Sequence, residues 1–201
     1  MLVTIYPDKP NLTEVQKVVQ ILQNGGVIIY PTDTVYALGC DIFCAAAVEK
    51  ICRFKKIDSR KAHLSFVCAN LSQVSEYAKF DNATFKILKS SLPGPFTFIL
   101  NGSSRLPKLF KKRQEVGVRI PDNNIVRAIL DELGHPLMSA SVPKDEDGYY
   151  ITNADLLAEN YHFLVDAVVD GGDSDVVPST IIDFTGNTPE IIRQGKGLFD
   201  I

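Results

Sequence analysis

Gly25-Gly26-Val27-Ile28-Ile29-Tyr30-Pro31-Thr32-Asp33-Thr34-Val35-Tyr36-Ala37-Leu38-Gly39 carries, in order, a helix stop, a strand and a polar turn. Upstream, over 11–24, apolar residues fall at Leu12, Val15, Val18, Val19 and Leu22. That is the spacing of one helical face, and the paired glycines end it. Val27-Ile28-Ile29-Tyr30 is an apolar run of strand length. Pro31-Thr32-Asp33-Thr34 then brings hydroxyls and a carboxylate to the strand's carboxyl end, where open α/β sheets place their ligands.

Working outward, strands are expected at 2–6, 64–69, 96–100, 116–120, 137–141, 163–169, 180–184 and 190–194. Helical spacing predicts helices over 44–54, 71–78, 82–91, 123–133 and 153–160, and 31–36 reads as loop. Residues 143–153 form a polar loop, the best candidate for mobility. Strands and helices alternate, yet several neighbouring strands lack a helix long enough for a parallel crossover. The expectation is therefore an α/β fold with a twisted, open, mixed sheet and helices on its faces. No repeat, low-complexity run or linker divides residues 1–201, so a single domain is expected.

Composition narrows the function. The chain has 201 residues, of which 45% are hydrophobic and 22% charged, enough to bury a sizeable core. A formal net charge of -3 argues against a general polyanion binder, so any nucleotide contact must come from local basic clusters such as 53–61 and 108–113. No signal peptide or membrane-spanning run is read, which gives a cytoplasmic expectation without membrane partners. Cys40, Cys44, Cys52 and Cys68 form no CxxC pair, and His63, His135 and His162 are scattered, so reduced thiols are expected and no metal site. No Walker A loop, no GxGxxG after a strand and no GxSxG is present.

What remains is a set of polar groups beside apolar strands: Thr32, Thr34, Arg119, Ser141, Ser179, Thr180 and Arg193. Each alone could be a turn or surface residue. Arg119, set in Val-Gly-Val-Arg-Ile-Pro, says more, because a charge on a buried strand needs an anionic partner.

Taken together, six segments resemble the YrdC/YciO family. Residues 31–39 resemble its Pro-Thr-(Asp/Glu)-Thr-x-Tyr-(Gly/Ala)-Leu signature, and Pro93-Gly94-Pro95-Phe96-Thr97 its Pro-Gly-Pro-x-Thr. Gly117-Val118-Arg119-Ile120-Pro121 is similar to Gly-x-Arg-x-Pro, and Leu137 to Ser141 to a serine-bearing segment. Ser179-Thr180-Ile181-Ile182-Asp183 and Ile191-Ile192-Arg193-Gln194-Gly195 resemble its two closing motifs.

The resemblance implies a YrdC-like fold with a concave basic crevice and threonylcarbamoyl-AMP synthesis. L-threonine, bicarbonate and ATP, with Mg2+, would give L-threonylcarbamoyladenylate for N6-threonylcarbamoyladenosine in tRNA. By position it assigns Thr32, Tyr36, Pro95 and Thr97 to the threonine pocket. Lys55 would face carboxylate or phosphate, Arg119 and Arg193 the nucleotide, and Ser141 and Ser179 carboxylate or phosphate oxygens. Lys55 and Arg119 would carry the catalysis. The partners implied extend to tRNA or double-stranded RNA and to other tRNA-modification proteins.

Two departures place the chain nearer the YciO branch. The synthase Lys-x-Arg reads Lys55-Lys56-Ile57 here, with Arg60 and Lys61 a few residues on, and Ser-Ala-Asn reads Ser141-Val142-Pro143. They open a second expectation: a YciO-like paralogue that binds RNA or nucleotide in the same basic crevice with weak or no synthase activity.

Overall fold

The computed structural model describes residues 1–57, 64–111 and 114–200. The elements begin with β1 (Leu2–Thr4), α1 (Leu12–Gln23), β2 (Ile28–Tyr30), β3 (Ala37–Asp41), α2 (Ala45–Phe54) and β4 (Ser65–Val67). There follow α3 (Leu71–Tyr77), β5 (Ala78–Lys79), α4 (Asn82–Ser91), β6 (Phe96–Gly102), a 3-10 turn (Lys108–Phe110) and β7 (Glu115–Arg119). The chain continues through α5 (Asn124–Leu133), β8 (Leu137–Ser141), α6 (Ala154–Tyr161), β9 (Ala167–Asp170), β10 (Thr180–Asp183) and β11 (Glu190–Arg193). Side-chain caps set the helix starts. Asn11, Asn70, Asp81, Asn123 and Asn153 each accept from a backbone N–H of the first turn that would otherwise lack a partner.

The strands form one open mixed sheet in the order β1-β9-β2-β3-β8-β4-β7-β6-β10-β11, with β5 paired to β6. β9 runs parallel to β1 and β2, β4 to β7, and β6 to β10; the other pairs are antiparallel. Strand alternation sorts the side chains onto two faces. One face is apolar along its length: Ile29, Leu38, Met138, Phe66, Val118, Phe98 and Ile182 pack with buried residues of α2, α3, α4 and α6. The other face is divided. Ile28, Tyr30, Ala37, Val67, Leu137, Ala167 and Val169 lie in a second core with α1 and α5. Beyond them the same face carries Ser139, Ser141, Ser65, Arg119, Thr97, Ile181 and Arg193, which line an open cleft. Register places Ser139 opposite Ser65 and Gly39, Gly117 opposite Ser65, and Arg193 opposite Ile181.

Three elements differ from the sequence expectation. Residues 37–41, unassigned in sequence, form β3. Gly39 weakens its strand signature, but an added Cβ there would come 2.6 Å from Cε1 of Tyr30, so the glycine makes room for that ring on the neighbouring strand. The strand expected over 163–169 begins only at Ala167, because the backbone N–H groups of Leu164 and Val165 both bond to the Tyr161 carbonyl and prolong the helix end into a turn. Ala78, expected as helix, pairs with Gly102 at the sheet edge. Among the described residues no helix is long and apolar enough to cross a membrane.

Candidate functional site

The cleft has a volume of about 500 Å³ and is lined by Lys55, Arg119, Lys144 and Arg193, with no carboxylate among the described residues of its wall. The cleft lies across the face of the sheet, on the part that α1 and α5 leave uncovered, and alternate strand residues share its lining with loop residues.

Arg119 is the floor's central charge, and only 5% of it is exposed. Its Nη2 donates to Oδ1 of Asp33 at 2.8 Å and to Oγ1 of Thr34 at 3.1 Å. Asp33 thus supplies the anionic partner that a buried strand arginine requires, and it also accepts from the Asp122 backbone N–H at 3.2 Å. Lys196 braces the same turn, donating to the Asp33 carbonyl at 2.8 Å while pairing with Asp175 at 2.8 Å. Among the described residues, Nε of Arg119 is buried without a hydrogen-bond acceptor. Such an orphan costs about 1–3 kcal/mol.

The remaining cleft groups are also pinned by the protein. Thr97 and Ser179 share a hydrogen bond of 2.9 Å between their hydroxyls. Arg193 donates from Nη2 to the Ser179 carbonyl at 2.7 Å and to its Oγ at 3.3 Å, and from Nε to the same carbonyl at 3.1 Å. Burial lowers the Arg193 pKa. Ser139 accepts at 2.6 Å from the hydroxyl of fully buried Tyr30, whose pKa burial pushes up to about 12, so that phenol stays a donor. Lys55, just past α2, reaches Ser141 and donates to its carbonyl at 2.6 Å; burial lowers its pKa.

Of the residues named from sequence, Lys55, Thr97, Arg119, Ser141, Ser179 and Arg193 come together in this cleft. Thr32, Tyr36 and Pro95 stand outside its lining, each committed elsewhere. Thr32 Oγ1 donates to the Val35 carbonyl at 2.8 Å and accepts from the Thr34 N–H, and its link to Arg119 runs through Thr34. Tyr36 donates to the Gly172 carbonyl at 2.7 Å. The Pro95 carbonyl takes the Thr180 N–H at 3.0 Å. Ile57 and Pro143, where the synthase pattern has arginine and asparagine, both line the wall. Arg60 and Lys61 lie outside the described residues, as does the end of the second basic cluster. Sequence reading missed Ser65, Lys144, Tyr150 and Ile181 as wall residues. Ser65 carried a signal in the strand alternation it shares with Phe66 and Val67, whereas Lys144 and Tyr150, on an irregular loop, carried none.

The Sua5_yciO_yrdC family model, described as "Telomere recombination", matches residues 20–195. YciO of Escherichia coli (strain K12), an uncharacterized protein, is 36% identical over 195 residues, spanning 96% of this chain and 94% of its own length. The crystal structure of E. coli YciO superposes with a TM-score of 0.91, covering 98% of this chain and 96% of that one. The threonylcarbamoyl-AMP synthase of Psychromonas ingrahamii is 36% identical over 133 residues, 64% of this chain and 69% of the synthase. P. abyssi Sua5, crystallised with L-threonine, shares the fold at a TM-score of 0.86 and 24% identity; the match takes in 97% of this chain but 57% of Sua5. The chain belongs to the Sua5/YciO/YrdC family.

Proposed function

We propose that the cleft binds ATP, L-threonine and bicarbonate and joins them as L-threonylcarbamoyladenylate, the donor for N6-threonylcarbamoyladenosine in tRNA. The observation that carries this reading is a polar floor on which four cations, Lys55, Arg119, Lys144 and Arg193, gather with no carboxylate among the described residues that line it. A cleft of that charge calls for an anionic ligand. The synthase of P. ingrahamii and the L-threonine complex of P. abyssi Sua5 support the choice of ligands.

The chemistry needs charge stabilisation and alignment rather than a protein nucleophile. Threonine's amine and bicarbonate first combine to a carbamate with loss of water. A carbamate oxygen then attacks the α-phosphorus of ATP, and the bond to the β-phosphate oxygen breaks to release pyrophosphate. Arg119 and Lys55 would offset the negative charge gathering at the α-phosphate. Arg193, held by Ser179, would fix the nucleotide, while the Thr97, Ser141 and Ser179 hydroxyls would orient carboxylate and phosphate oxygens. Mg2+ would come with the triphosphate, held by phosphate oxygens and water, since the described residues of the cleft wall include no carboxylate.

A second reading rests on Ile57 and Pro143 in the wall: a YciO-like paralogue that binds nucleotide or RNA in this cleft without completing the reaction. Arginine's fork is not replaced by nearby charge. Pyrophosphate release measured with ATP, bicarbonate and threonine, omitting each in turn, separates the two. Synthesis predicts release that needs all three, and a rise in turnover on Ile57→Arg. ATP binding with no threonine-dependent release in either protein would establish the second reading.

A further inference from the structure

Resting on the reading of the cleft as a nucleotide site, the geometry points to Lys144 as the cation that receives the terminal phosphates, filling the role that Ile57 cannot. Lys55, Arg119 and Arg193 each donate to an oxygen of the protein itself. Among the described residues, Lys144 is the one cleft-lining cation with no oxygen acceptor. Its Nζ sits instead 5.3 Å from the centroid of the Tyr150 ring, another wall residue. Asp145, Glu146 and Asp147 follow it directly, yet its ammonium pairs with none of them. An exposed ammonium resting on an aromatic face gains only about 0.5–1 kcal/mol, so it can leave for a phosphate at little cost.

The backbone that carries Lys144 is held at both ends. Val142 N–H donates to the Tyr36 carbonyl at 3.1 Å, tying the base of the segment to the residue just before β3. The tip closes on itself: the Asp145 N–H donates to the Tyr149 carbonyl at 2.8 Å, and Asp145 Oδ1 accepts from the Tyr149 N–H at 2.7 Å. Gly148 at the turn has φ +85°, a conformation that favours glycine. This ordered turn, in a stretch that sequence marked as the best candidate for mobility, fixes where the lysine stem starts and leaves its ammonium free to swing. Lys55 is bonded to the Ser141 carbonyl on the same wall, three residues before Lys144 in sequence. Lys55, Ile57 and Lys144 line the same cleft, so the charge that the synthase pattern supplies with an arginine at position 57 can come from Lys144 instead.

Equilibrium binding of ATP, AMP and inorganic pyrophosphate tests this without requiring turnover. Lys144→Met should weaken ATP and pyrophosphate by about fivefold, the scale of one solvent-facing ion pair, and leave AMP within about twofold. Lys144→Arg should keep wild-type affinity, and Ile57→Arg should restore ATP binding to the Lys144→Met protein. Glu146→Gln, an exposed neighbour outside the cleft wall, serves as control and should change nothing. An unchanged ATP affinity in Lys144→Met, or an equal loss for AMP, overturns the role of Lys144 while leaving the nucleotide reading standing. A wild-type protein that binds none of the three ligands overturns both.

Discussion

The two halves of one sheet face share a pleat, and in β8 they share a strand, yet they are built from opposite chemistry. Leu137 lies in the core under α1 and α5, while Ser139 and Ser141, two and four residues on, line the cleft. The polar half is not a solvated surface. Thr97 and Arg119 are each 5% exposed, and Ser139 and Ser179 each 4%. Polar groups buried to that degree are costly unless bonded, and nearly all of these are bonded to one another or to backbone. Burial without apolarity distinguishes this floor from a core and from an ordinary surface.

The largest expected effect is at the Arg119–Asp33 pair, whose side chains are 7% and 9% exposed. Arg119→Met leaves a buried carboxylate without its partner and should cost about 3–5 kcal/mol in urea unfolding. Adding Asp33→Asn should return most of that stability without returning ATP binding. A loss below about 1 kcal/mol for the single variant would mean the pair is solvated, and the contrast between the halves would fall.

Next in size is Leu137→Ala, in the covered half of the same strand. It should cost about 2–5 kcal/mol by leaving a cavity under α5, with ATP affinity per folded molecule unchanged. A fall in affinity at full folding would show that the two halves are mechanically coupled, the hydroxyl of Tyr30 on Ser139 being the contact that bridges them.

Much of this division is legible in sequence, for reasons that differ by residue. Leu-Met-Ser-Ala-Ser over 137–141 already alternates, and Arg119 between Val118 and Ile120 announces a buried charge. The sheet class follows from short connections that rule out a purely parallel arrangement. What alternation cannot give is register. That Ser65 lies beside Gly117 and Ser139 depends on pairing strands far apart in sequence, and so does the gathering of these residues on one cleft. Thr32 and Tyr36 show the opposite failing. Their motif is plain, but only the folded chain shows Thr32 closing its own turn and Tyr36 holding the Gly172 carbonyl. Lys144 and Tyr150 sit on a loop, where no periodicity speaks for them.

The smallest expected effect is a pH dependence at Lys55, where both halves of the argument meet in one residue. Burial lowers its pKa in the folded protein relative to the ordinary lysine value that the unfolded chain keeps. Between those two values the unfolded chain holds the extra proton, so stability rises as pH rises through the window. Over the same window the folded cleft loses a positive charge, so anion affinity falls. A structural lysine gives the first slope alone; a lysine that meets the ligand gives both, with opposite signs. Pyrophosphate affinity should therefore decline before pH reaches about 10.4, the ordinary lysine value. Lys55→Arg, charged throughout, should hold its affinity over that range, and Lys55→Met should lose the stability slope as well. If wild-type affinity stays level up to the ordinary lysine value while stability rises, Lys55 supports the Ser141 backbone and does not touch the anion.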